Sequence, residues 1–294
     1  MPAIEITDTK GLVQKTGTGV SSSSSITLTA GLNAKDAATT LKGDSVLIVG
    51  AQSDPDTYAN PFEQSATQLF PMGTKLQYGD RTFRYAFSGE ANNAGVLIEG
   101  AALTNAHHRN IAVQAATTAG DRAVSLTKGA TAITLNQFAD GYLHINDDTA
   151  DVNSQGGLYR IKSHAAKADA GTLAFVLYDP IPVIVPTTAI ADLIKNIYTD
   201  VVKTATTPVS SVLGVTPMEI ANDRYFWLQT GGPASVLCAD AAPTIGEPVT
   251  RNTATAGSVQ ATAGGADNLN DNIGRCIVTN GTGDNIVIQL NLDT

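Results

Sequence analysis

From Tyr78 onward, apolar and polar positions alternate with a period of two in short runs bounded by Gly, Asp and Asn. In "YGDRTFRYAFSG", Phe83, Tyr85 and Phe87 share one face and Arg84 takes the other. In "GLYRIKSH", Tyr159 and Ile161 point inward while Arg160 and Lys162 point outward. The run "NIVIQLNL" sets Ile286, Ile288, Leu290 and Leu292 on one face. Between these lie "AGVLIEGA", "RAVSLTKG", "TAITLN", "GYLHIND", "GTLAFVLYDPIPVIV", "SSVLGV", "EPVTR" and "GSVQATA", which also read as strands. Short strands at such spacing predict sandwiches or small barrels. The stretch "RYFWLQTGGPASVL", Arg224 to Leu237, reads as a strand, a sharp turn at Gly231–Gly232–Pro233, and a second strand.

One segment departs from the pattern. In "TTAIADLIKNIYTDVVK", Ile190, Leu193, Ile194, Ile197, Val201 and Val202 recur at helical spacing, and Thr188 can cap the start. The β-branched content argues the other way, so 187–203 is expected as a short helix or an irregular connection. Residues 1–43, with five consecutive serines at Ser21–Ser25, are too poor in large apolar side chains to build a core. They are expected as an extended arm, with "ITLTA" as a short strand, and "DSVLIVG" follows as a buried strand. The expected fold is all-β. It has two consecutive small β-barrel or sandwich modules, 44–186 and 204–294, with an N-terminal arm and at most one short helix.

Composition narrows the function. The hydrophobic fraction of 43% can fill a core, while the charged fraction of 15% lies below the roughly 25% of ordinary domains. Hydroxyls and amides cover the surface instead, which suits broad protein contacts. The net charge is −9, and the densest basic neighbourhoods are only the pairs Arg81 with Arg84 and Arg160 with Lys162. Neutralising phosphates needs larger clusters, so a nucleic-acid partner is not expected. No leader pattern opens the sequence, and no apolar run nears the roughly 18 residues of a spanning helix. No membrane partner is expected, and synthesis is expected in a cytoplasm.

Candidate chemistry is sparse. His107 and His108 are adjacent and would point to opposite faces of a strand, and His144 and His164 lie apart, so no metal site is expected. Asp147, Asp148 and Asp151 in "NDDTADVN" lack the order of a calcium loop and read as a solvated acidic turn. Cys238 and Cys276 sit in apolar contexts and read as two buried thiols, with one disulfide as the alternative. No nucleophile motif or phosphate loop is present. No catalytic residue, cofactor or metal is therefore assigned. Trp227 and Tyr225 share a face, either as part of a buried central strand or as an exposed platform for sugar stacking.

"DGYLHINDDT…YRIKSH", "FVLYDPI", "VLGVTP…YFWLQTGGPASVL" and "IGRCIVTNGTGDNIVIQLNL" together resemble virion structural proteins of tailed bacteriophages. The resemblance spans about 78–294, and the last third is most similar to capsid cement, or decoration, proteins. It implies a non-enzymatic β-barrel protein carried as a homotrimer on the outer capsid, bridging neighbouring capsomers and bound to the major capsid protein. Such a protein would be made in the host cytoplasm. The alternatives are a major capsid protein, which would need a long helix, and a tail or receptor-binding β-module, which would expose Trp227 to host glycans. A polysaccharide hydrolase would need paired carboxylates in a groove.

Overall fold

The computed structural model describes residues 60–101, 108–148, 153–240, 242–262 and 272–293, and the backbone of short strands at 4–7, 11–14 and 48–49. The chain divides into two units, Met1–Val46 and Leu47–Thr294. In the first, β1 (Ile4–Thr7) and β2 (Gly11–Gln14) form an antiparallel hairpin. The expected "ITLTA" strand and the rest of the arm lie outside the described residues.

The second unit is all-β, with no α-helix among the described residues, and holds two barrel-like sheets. The six-stranded sheet comprises β7 (Ile111–Ala112), β8 (Ala123–Lys128), β9 (Tyr142–Asp148), β10 (Leu158–His164), β11 (Gly171–Leu177) and β12 (Ala189–Ile194), in the order β7-β12-β9-β10-β11-β8. Its two edge strands return toward each other. Val113 bridges Leu126, and Gln114 N–H donates to Ser125 O at 2.8 Å, so the barrel is nearly closed. Its interior holds Val124, Leu126, Leu143, Ile145, Ile161 and Phe175, all at or near zero exposure.

The eleven-stranded sheet is a half-barrel. Its main path runs β13 (Val202–Lys203), β6 (Leu97–Glu99), β14 (Val212–Val215), β15 (Tyr225–Leu237), β19 (Asn285–Asn291), β18 (Gly274–Val278), β16 (Pro248–Arg251) and β17 (Val259–Ala261). Beside β15 lie β5 (Arg81–Phe87), β4 (Lys75–Tyr78) and the two-residue β3 (Ile48–Val49), which pairs parallel to β4. β3 is the described part of the buried strand expected in "DSVLIVG".

Three expectations need correction. Residues 189–194 form a strand, neither helix nor loose connection. Ala189, Ala191 and Leu193 are buried while Ile190, Asp192 and Ile194 face outward, and the strand pairs with both β9 and β7. The β-branched preference for extended backbone, together with two pairing partners, outweighs the helical spacing.

The boundaries at 186/187 and 203/204 do not match the sheets either. β5 and β6 pair with the later strands β15 and β14, and β4 joins the same sheet through β5, so the barrel of 111–194 is an insertion between parts of the other sheet.

Finally, Arg224–Leu237 contains no hairpin. Tyr225–Leu237 is one 13-residue strand. Its first half pairs with β5 and its second half with β19, and the change of partner falls at Gly231. The Gly-Gly-Pro sequence supplies a bulge here instead of a reversal. Gly232 has φ +82°, and a Cβ there would lie 2.3 Å from Asp80 O. The buried Gln229 side chain donates to Gly231 O and Pro233 O at 3.1 and 2.7 Å, satisfying carbonyls that the ladder leaves over.

Candidate functional site

Charged side chains buried in the body brace segments far apart in sequence. Glu99 and Arg251 are 0% and 1% exposed and pair at 3.0 Å. The second carboxylate oxygen of Glu99 accepts Ala205 N–H at 2.7 Å, and Arg251 Nη2 donates to Ser210 O at 3.0 Å. Lys128 is 1% exposed, and its ammonium donates to Gly129 O, Thr131 O and Asp169 O at 2.7–2.9 Å. Those three acceptors match the three N–H bonds of an ammonium.

Asp140 joins the barrel to the segment leading into β4. Its left-handed backbone (φ 59°) turns the carboxylate inward. Oδ1 accepts Arg160 Nη2 at 3.0 Å and Tyr178 O–H at 2.9 Å, while Oδ2 accepts Met72 N–H at 3.1 Å. The Asn196 amide donates to both Met72 O and Asp140 O. None of these residues is marked by a sequence motif. The only signal is a charged residue at an inward-facing strand position, which holds for Glu99 on β6 and Lys128 on β8.

The residues singled out from sequence do not converge. His107 and Asp151 lie outside the described residues. His108 lines a cleft of about 530 Å³, together with Arg109, Thr131, Phe138, Asp192 and Lys195. His144 stands outside the barrel, 3.6 Å from Asp192. His164 is buried; its Nε2 accepts Phe138 N–H at 2.9 Å, which places the proton on Nδ1, facing Ala165 O. Burial lowers its pKa, and the contact with Ala165 O only partly offsets this. Among the described residues no group of three or more His, Cys, Asp or Glu is placed to hold a metal ion.

Asp147 and Asp148 lie in β9, whose backbone pairs with β12, and so belong to a strand and not to the expected acidic turn. Cys238 and Cys276 are both buried thiols with no disulfide between them, and burial raises both pKa values. Trp227 is 3% exposed and packs against Phe70 and Tyr85 at centroid distances of 5.2 and 5.0 Å. The exposed sugar platform is therefore corrected: both faces of β15 are covered, Phe226 and Leu228 filling the other side.

Several large apolar side chains remain exposed. On β9–β11, Tyr142, Leu158, Val176 and Tyr178 face outward, and the Arg160 guanidinium lies 4.7 Å from the Tyr178 ring centroid. At the far end of the other sheet, Ile245, Ile277 and Val278 are exposed. No family model, curated protein or solved structure matches this chain.

Proposed function

We propose that this chain is a non-catalytic virion structural protein of a tailed bacteriophage: a capsid cement protein that binds the major capsid protein on the outer surface and bridges capsomers. The observation that carries this reading is the use of the buried charges. Glu99, Arg251, Lys128 and Asp140 hold backbone segments together across the body. Such bracing suits a rigid clamp that works by contact area. The resemblance of 78–294 to virion proteins supports the same reading, as does a surface of few charges, which lowers the desolvation cost of large contacts. A homotrimer would engage three capsid sites together and raise avidity by roughly 10²–10⁴. The burial of Trp227 gives no support to the glycan-binding alternative.

Electron microscopy of particles assembled with and without the chain tests this. Added density on the outer shell between capsomers, with greater resistance to heating, is the expected result. Density in the tail or inside the shell, or shells formed by this chain alone, overturns it. Removal of 1–43 is expected to weaken attachment while the Leu47–Thr294 unit still folds. Unchanged attachment would end the role of the arm.

A further inference from the structure

His164, at the end of β10, holds the turn 134–141 against the barrel, and its ring does so in one protonation state only. A backbone N–H can only donate, so the Phe138 N–H at 2.9 Å from Nε2 needs a lone pair there. The ring proton then sits on Nδ1, facing Ala165 O at 2.9 Å. The ring is therefore neutral, and a second proton would set one N–H against another. His164 is 4% exposed, with the Phe138 and Phe175 ring centroids 5.8 and 5.0 Å away. An imidazolium in that apolar setting would be a buried charge without a counter-ion, which is costly.

The turn is tied down at its ends by backbone. Ile133 and Lys167 exchange hydrogen bonds at 2.9 and 2.8 Å, and Asp140 N–H donates to Ile161 O at 2.8 Å. Between these points His164 supplies three hydrogen bonds. Besides the ring contact, its N–H donates to Asn136 Oδ1 at 3.0 Å and its carbonyl accepts Asn136 N–H at 3.3 Å. Phe138, 1% exposed, reaches from the turn into the barrel core and stands edge-on to His108 at 5.0 Å. Phe138 and Gln137 also form part of the wall of the cleft of about 530 Å³.

The charged and titratable groups on the surrounding elements are engaged elsewhere or lie outward. β11 carries none. On β8, Lys128 is held by Gly129 O, Thr131 O and Asp169 O. On the turn, Asp140 is held by Arg160 of β10 and by Tyr178. Lys162 on β10 is exposed, and Lys167 and Asp169 follow that strand. His108, with Arg109 beside it, lies across the Phe138 ring.

We propose that His164 is a proton-sensitive latch: protonation of its ring breaks the Phe138 N–H bond and releases the turn 134–141 from β10, drawing Phe138 out of the barrel core and away from the cleft wall. Burial lowers the His164 pKa below its ordinary 6.5, Ala165 O only partly offsets this, and neither cause is a charge. The closed turn thus binds the proton less well than the released one. The latch is complete above 6.5 and weakens as pH falls below it. It stands independently of the capsid reading.

The test is amide hydrogen exchange of the full chain at about pH 7.5 and about pH 5, corrected for the intrinsic rate at each pH. Each pH unit below the ordinary histidine value multiplies the released population by up to about ten, so opening of 134–141 is expected to rise about 5- to 30-fold. β8 is expected to stay equally protected at both. His164→Gln keeps an acceptor for Phe138 N–H but does not titrate, and is expected to abolish the pH dependence; His108→Gln is expected to retain it. A wild-type turn whose protection is independent of pH, an equal loss of protection in β8, or a pH dependence that survives His164→Gln overturns the proposal. Should His164→Gln fail to fold at neutral pH, proton NMR of the wild-type ring decides together with the wild-type exchange profile. A His164 resonance that titrates at or above the ordinary histidine value overturns the latch.

Discussion

The Glu99–Arg251 pair offers a direct test of how this body is braced. Glu99→Gln keeps the side-chain shape and an acceptor for Arg251 or Ala205, and removes only the charge. Both residues are almost fully buried, at 0% and 1% exposure, so the Arg251 guanidinium would be left without its counter-ion in a low-dielectric interior. Breaking a buried pair in this way costs about 3–5 kcal/mol. With a urea m-value of about 2–3 kcal/mol/M, the midpoint falls by roughly 1–2.5 M. Trp227, the single tryptophan, reports the transition, because it is 3% exposed in the same sheet as both residues. The double replacement Glu99→Leu/Arg251→Met removes both charges together. It leaves Ala205 N–H and Ser210 O short of a partner, at about 1–3 kcal/mol each. It should nevertheless lose less than the sum of the two single changes, with a coupling of about 2 kcal/mol or more. A midpoint shift below about 0.3 M for Glu99→Gln, at unchanged m, would show that water reaches the pair and refute the reasoning.

Two further outcomes follow from the geometry. Burial alone would raise the Asp293 pKa, but the hydrogen bonds and charge of Arg84, with Lys75 nearby, hold it below the ordinary 3.8. The stability that Asp293 contributes is therefore complete above that value and lost as pH falls through the lower folded value. Asp293→Asn should cost about 1 kcal/mol at neutral pH in thermal unfolding, and the gap should close in acid; a gap independent of pH refutes the assignment. Gly274→Ala would place a Cβ 2.1 Å from Gln289 O in the β18–β19 ladder, whereas at Gly246 (φ +84°) nothing lies within 4 Å. The first should cost about 2–3 kcal/mol through overpacking and the second about 1 kcal/mol through backbone strain alone, and a reversed order of Tm values would refute the packing argument.

The strands with clean alternation were legible in the sequence because one covered face leaves a period-two signature. β10 and β19 show it, with Ile161, and Ile286, Ile288 and Leu290 buried as expected; in β5, Phe83 and Tyr85 are buried as expected, but Thr82 and Ala86 on the opposite face are buried too. β12 was ambiguous because its apolar residues also fit a helix, and only the pairing of Ile190 and Leu193 to β9 decides between them. Gly231–Gly232–Pro233 was misleading for a related reason. The same residues serve a reversing turn and a bulge, and which forms depends on whether the next strand pairs with the previous one or with β19.

The buried charges and exposed surfaces show the same limit. Arg251 carries no mark of burial in "EPVTR"; it is buried because Glu99, 152 residues earlier, meets it inside the sheet. Lys128 is buried because Thr131 O and Asp169 O come within reach of its ammonium.

Local sequence thus determined that this chain is extended, with alternating faces and little charge, because side-chain direction in a strand depends only on neighbouring positions. The tertiary structure decided which strands share a sheet, where the barrel of 111–194 is inserted, and which charges are buried, because those depend on contacts between residues far apart along the chain.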